Sequence, residues 1–162
     1  IGYIKIPTTS IPITPISFGK SELKYRPELR SRMKKFDQTQ VDKVYFGTSN
    51  PNLGYYEHIP ITSNKMLIFK LIRNGKVKLY TRTIKRHVRR DFSNQNGLYS
   101  TKDIKVKQYF LIRENKLTAT QVLYNADLRS FKNSIKNYVS DCEDVVSFIE
   151  DDIYEEYDIH QI

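Results

Sequence analysis

The stretch TIKRHVRRDF, Thr83 to Phe92, sets Lys85, Arg86, Arg89 and Arg90 within six positions, with His87 among them. Cations at that density can neutralise phosphate and release its counterions. The whole chain leans the same way, with 27 Lys and Arg against 18 Asp and Glu in 162 residues. Tyrosine is plentiful, 12 against 8 Phe and no Trp. Such rings stack on bases, but they suit half-buried sheet faces and protein interfaces equally well. Lys85, Arg86, His87, Arg89 and Arg90, with the adjacent Tyr55 and Tyr56, therefore form the candidate interaction surface. On an extended chain Lys85, His87 and Arg89 point one way, while Ile84, Arg86, Val88 and Arg90 point the other. The charge is split between two faces instead of gathered in a groove. No helix-turn-helix arrangement or RNA-recognition aromatic signature accompanies it. That split argues against nucleic acid.

The other reactive residue types are scattered. His58, His87 and His160 fall in three different segments, so only long-range folding could bring them to one metal. The acidic run Glu150, Asp151, Asp152, Glu155, Glu156 and Asp158 lacks the alternating ligands and turn glycine of a calcium loop, and reads as a solvated helical face. Cys142 is the single cysteine, which excludes an intrachain disulfide. Its expected place, in the first turn of a helix, could lower a thiol pKa, but no histidine lies near it in sequence. No glycine-rich phosphate loop and no C-x-x-C, H-E-x-x-H or G-x-S-x-G pattern occurs. The expectation is a protein that is not an enzyme and uses no cofactor or metal.

The elements that position these residues are read from periodicity. The Pro-rich opening GYIKIPTTSIPITPISFG predicts an edge strand or extended arm. A short helix fits Glu28–Phe36 after Pro27, and VDKVYFG reads as a strand with Val41, Val44 and Phe46 inward. TSNPNLG is a turn cluster, and YYEHIPI resumes extended structure. In KMLIFKLIRNGKVKLYTRT, Asn74-Gly75 predicts a type I′ hairpin opposing Ile72 to Val77 and Lys70 to Leu79. One face then carries Ile68, Ile72, Val77 and Leu79, and the other Leu67, Phe69, Leu71 and Tyr80. With both faces apolar, this hairpin belongs in the middle of its sheet.

A polar loop, Asp91–Asp103, precedes a second hairpin turning at Glu114-Asn115. That hairpin pairs Ile112 with Leu117 and Phe110 with Ala119. The period then changes from 2 to 3.6. Asn125 can cap a helix carrying Leu128, Phe131, Ile135 and Tyr138 or Val139 on one stripe. Ser140-x-x-Glu143 has the spacing of a capping box for a second helix with Val145, Val146, Phe148 and Ile149. A third helix is expected near Glu155. The fold class is α+β. An antiparallel sheet or small β-sandwich over about residues 1–124 precedes two or three short α-helices.

Charge follows the same division. Residues 1–120 hold 24 Lys and Arg against 8 Asp and Glu, whereas residues 121–162 hold 3 against 10. This predicts a basic β domain, 1–124, with an acidic helical cap, 125–162, packed on it as one folding unit. The same asymmetry also fits two surfaces with different partners. No apolar run approaches the ~18 residues of a membrane span. A chain opening at Ile1 implies residues removed upstream, and a cleaved signal peptide would account for them.

Three segments, KMLIFKLIRNGKVKLYTR, QYFLIRENKLTATQVLY and FKNSIKNYVSDCEDVVSFI, together resemble a group of uncharacterised exported proteins of Gram-negative bacteria. The shared features are the x-G-K-x-x-L-Y hairpin at Gly75, Lys76, Leu79 and Tyr80, the aromatic strand at Tyr109 and Phe110, and the helix ending in Asp141-Cys142. The resemblance spans about residues 60–160. It implies export, to the periplasm or the outer membrane, and carries no catalytic residue across. With it, the leading expectation is a non-enzymatic envelope domain that binds other proteins, as an accessory subunit of an outer-membrane complex. Anionic lipid headgroups are a further expected partner for the same cations. The alternative is a nucleic-acid-binding module using the basic first 120 residues.

Overall fold

A run that is apolar on both faces has to lie between neighbours on both sides. Lys65–Arg73 (β7) does so, running between Tyr55–Thr62 (β6) and Val77–Asp91 (β8). The structure, a computed structural model, describes residues 3–6, 9–11, 22–46, 54–91, 99–123, 128–151 and 153. The other described elements are β1 (Tyr3–Lys5), β2 (Thr9–Ile11), β3 (Leu23–Arg26), β4 (Lys34–Phe36), β5 (Lys43–Tyr45), β9 (Tyr99–Arg113), β10 (Thr120–Leu123), α1 (Leu128–Tyr138) and α2 (Glu143–Glu150). The fold is α+β: a large sheet ordered β10-β9-β8-β7-β6-β5, a small sheet ordered β1-β3-β4, and two helices at the C-terminal end. All pairings are antiparallel except that of β2, which runs parallel to β8 from Ile84 to Arg86.

The large sheet curls. The Ala119 amide, just before β10, donates to the carbonyl of Pro60 in β6 at 2.8 Å, so two strands four places apart in the order meet. Inside the curl Ile59, Leu67, Phe69, Tyr80, Phe110 and Ala119 form one core. Phe69 and Phe110 meet edge to face with ring centroids 4.6 Å apart, a preferred aromatic geometry. The outer face is covered by two different layers. At one end α1 and α2 set Ile135, Val139 and Ile149 on Leu79, Leu111 and Val122. At the other, the small sheet brings Leu23 against Val44 and Ile68. Strand alternation permits this, since Leu79 and Tyr80, or Phe110 and Leu111, send their side chains to opposite faces.

The two faces expected of the central hairpin are those observed, but its register is displaced. Lys70 opposes Thr81 and Leu71 opposes Tyr80, with an irregularity between Leu71 and Arg73. The displacement is two residues, which leaves every side chain on its expected face. Its cause lies in the turn. Residues 74–76 make the connection, and among the described glycines only Gly54 has positive φ, so Gly75 does not adopt the type I′ conformation.

The second hairpin is displaced in the same way, with Phe110 opposite Gln121, and Leu117 is 90% exposed instead of inward. The larger difference concerns β9. Its main partner is β8, over fifteen consecutive rungs from Val77↔Arg113 to Asp91↔Tyr99. The expected loop Asp91–Asp103 is therefore largely strand. The connecting residues 92–98 lie outside the described residues.

Three smaller expectations are corrected. Glu28–Phe36 is not helical. Ser31 closes a turn onto the Glu28 carbonyl, and Lys34–Phe36 pairs with β3, placing Phe36 opposite Leu23. The capping box does not form. Cys142 occupies the N-cap of α2 with no side-chain cap hydrogen bond, so the cysteine precedes the first helical turn. Asn125 and the region of the expected third helix from Glu155 lie outside the described residues.

Candidate functional site

The basic stretch continues β8 past the core. At ~3.4 Å per residue the β8–β9 pair is about 50 Å long. Among the described residues, those packed under the helices and inside the curl belong to its first half. The second half, residues 85–91 and 99–105, holds six Lys and Arg against two Asp. The register opposes Lys85 to Lys105, Arg86 to Ile104, His87 to Asp103, Arg89 to Thr101 and Arg90 to Ser100. Lys85 is half-buried, and Lys102, Lys105 and Lys107 are exposed. Two lysines directly across a rung repel each other, a local cost that an anion alongside would remove.

β10 pairs with β9 only from Tyr109 to Leu111. Among the described residues, the outer backbone edge of β9 from Tyr99 to Gln108 therefore has no neighbouring strand. Tyr55 and Tyr56 do not join this surface. They sit on β6, at the level of the Leu71–Tyr80 rung. Tyr55 donates to Glu57 at 3.4 Å, and Tyr56 packs edge-on to Phe46 with centroids 5.7 Å apart.

A second polar group lies inside the curl, where the sequence pattern predicts only apolar side chains. Glu57 and Gln108 are buried among the core aromatics. Tyr80 donates its hydroxyl to Glu57, and burial, reinforced by that bond, pushes the phenol's pKa well up. The Arg82 Nε donates to Gln108 at 2.7 Å, and its guanidinium lies 5.4 Å from the Phe69 ring centre and 5.8 Å from that of Phe110. Burial lowers the Arg82 pKa to about 10. Flanking rings and an amide acceptor compensate a buried cation in part. The hydrogen bonds tie Tyr80 to Glu57 and Arg82 to Gln108 across neighbouring strands.

The third feature is a cavity of about 410 Å³ between the β7–β8 turn and the helices. Leu79, Leu111, Ile135, Val139 and Val145 line its apolar part, and Arg73, Lys76, Arg113, Asp141 and Cys142 its polar part. Arg113 donates to both carboxylate oxygens of Asp141, at 2.8 and 2.5 Å. This bidentate bond holds the Asp141 pKa down at about 2. The Arg113 guanidinium also lies 5.5 Å from the centre of the Tyr138 ring. Its Nε is buried, with no hydrogen-bond partner among the described residues. Cys142 is exposed at the rim.

His58 is buried on the outer face of β6, its backbone amide bonded to the Asp42 carbonyl at 2.9 Å. His87 lies on β8, and His160 falls outside the described residues. Glu150 of the acidic run pairs with Lys136, joining α2 to α1. Asp152, Glu155, Glu156 and Asp158 fall outside the described residues. Among the described residues no three His, Cys, Asp or Glu side chains group as metal ligands, and no helix is long and apolar enough to cross a membrane. No model of a protein family matches this chain, and no curated protein or solved structure matches it either.

Proposed function

We propose that this chain is a non-enzymatic protein-interaction domain of the cell envelope, an accessory subunit that docks its partner along β9. One observation carries the reading: the backbone edge Tyr99–Gln108, which no strand covers among the described residues. Such an edge accepts an extended segment by strand addition, with main-chain hydrogen bonds supplying affinity. Lys102, Lys105 and Lys107 disfavour indiscriminate pairing, as charged residues on natural edges do. They also select for acidic segments, whose carboxylates would relieve the Lys85–Lys105 repulsion. The envelope location is supported by the resemblance to exported proteins at Gly75-Lys76, Leu79-Tyr80 and Asp141-Cys142.

The test is isolation from native membranes in mild detergent. A partner at stoichiometric level is expected, and its recovery should fall when Lys105 and Lys107 are both changed to Glu. Recovery of the wild-type chain as a lone monomer opposes the proposal. A second reading draws on the same ribbon, because two basic antiparallel strands have dimensions that the DNA major groove admits. It requires a DNA or RNA complex that weakens steeply with added salt.

A further inference from the structure

We infer that the cavity between the β7–β8 turn and the helices binds an aliphatic carboxylate, a free fatty acid whose chain lies inward and whose head meets the cationic rim. The site is separate from the β9 edge and does not depend on it. Its volume, about 410 Å³, falls within the range of small-molecule pockets, and so does its composition of apolar lining with few polar groups.

The lining selects the ligand. Leucine, isoleucine and valine side chains from the sheet, α1 and α2 form the apolar part, with no aromatic residue among the described lining. A nucleobase or other planar ring finds no stacking platform there. A flexible hydrocarbon chain fits such walls, each buried methylene contributing by the hydrophobic effect. The rim decides the head group. Among the described lining residues Arg73, Lys76 and Arg113 are cationic and Asp141 is acidic, and Arg113 and Asp141 hold each other. The balance favours an anion. Arg113, on the same rim, adds a guanidinium able to donate beside Lys76. A carboxylate head at this rim would meet charge-assisted donors.

Cys142 reports on occupancy. It is the single cysteine, it is exposed, and it lines the cavity. The test follows the rate at which a thiol reagent modifies Cys142 in the full chain as decanoate is titrated below its micelle concentration, with calorimetry in parallel. Decanoate is expected to slow modification saturably, and decanol to bind about tenfold more weakly for want of the charged head. Lys76→Glu, an exposed turn substitution that the fold should tolerate, is expected to weaken decanoate several-fold and leave decanol unchanged. Val145→Phe, which fills the apolar part, should abolish both. If Val145→Phe fails to fold, Lys76→Glu still decides. Absence of saturable protection would overturn the assignment. So would equal binding of acid and alcohol, or protection by phosphatidylglycerol vesicles without any by decanoate.

Discussion

β8 and β9 keep one register over fifteen rungs, yet the two halves of the pair live in different surroundings. From Val77↔Arg113 to Arg82↔Gln108 every side chain of the ribbon is buried or half-buried. Tyr80 and Phe110 lie inside the curl, and Leu79 and Leu111 lie under the helices. From Lys85↔Lys105 onward the charges concentrate, and β10 no longer covers the β9 edge. Main-chain pairing is the same in both halves, so it does not distinguish them. The difference comes from the side chains: one half closes the core, and in the other Lys102, Asp103, Ile104 and Lys105 are exposed.

Substitution separates the halves most sharply at their apolar residues. Phe110, 1% exposed, should cost about 3–5 kcal/mol when replaced by Ala, through lost burial and the cavity left behind. Ile104, 36% exposed in the far half, should change by no more than about 0.5 kcal/mol on the same replacement. Urea unfolding measures both, and equal losses would mean that the far half is packed as well. A smaller effect, of opposite sign, is expected from Lys105→Glu. It turns a repulsive rung into an attractive one and should raise stability by about 0.2–1 kcal/mol while weakening an acidic partner. Loss of stability together with loss of binding would instead make Lys105 structural.

The smallest effect belongs to the Arg113–Asp141 pair at the near end, where Asp141 is largely exposed. Its pKa is lowered to about 2 in the fold from an ordinary value near 3.8. The ionised form is thus favoured by folding. That contribution is fully present above the ordinary value and is lost as pH falls through it toward about 2. Acid titration should show this loss in the wild type and not in Asp141→Asn. An identical acid limb in both would remove the pair from the account.

The sequence makes the central hairpin legible because its apolar residues alternate on both sides, and a two-residue register error moves none of them to the wrong face. The register itself is not legible, since Asn74-Gly75 allows a type I′ turn without compelling it. The long β8–β9 pairing is hidden for another reason. Lysines, arginines, Ser100 and Thr101 on its far half give no apolar alternation, so Tyr99–Asp103 reads as loop. Glu57, Arg82 and Gln108 are polar by type yet fall on the inward face by alternation, and the curl encloses them. Ser140 and Glu143 show that a capping spacing can occur with no cap. The cavity draws on residues 73–79, 111–113 and 135–145, which periodicity within any one segment cannot bring together.

The contact between Ala119 and Pro60 spans 59 positions of chain, whereas the β6–β7 and β7–β8 turns join immediate neighbours. Ordering so long an intervening segment carries a large entropic cost until the strands between are in place. Neighbouring strands are therefore expected to zip before the seam that encloses the Glu57 and Arg82 side chains is tied.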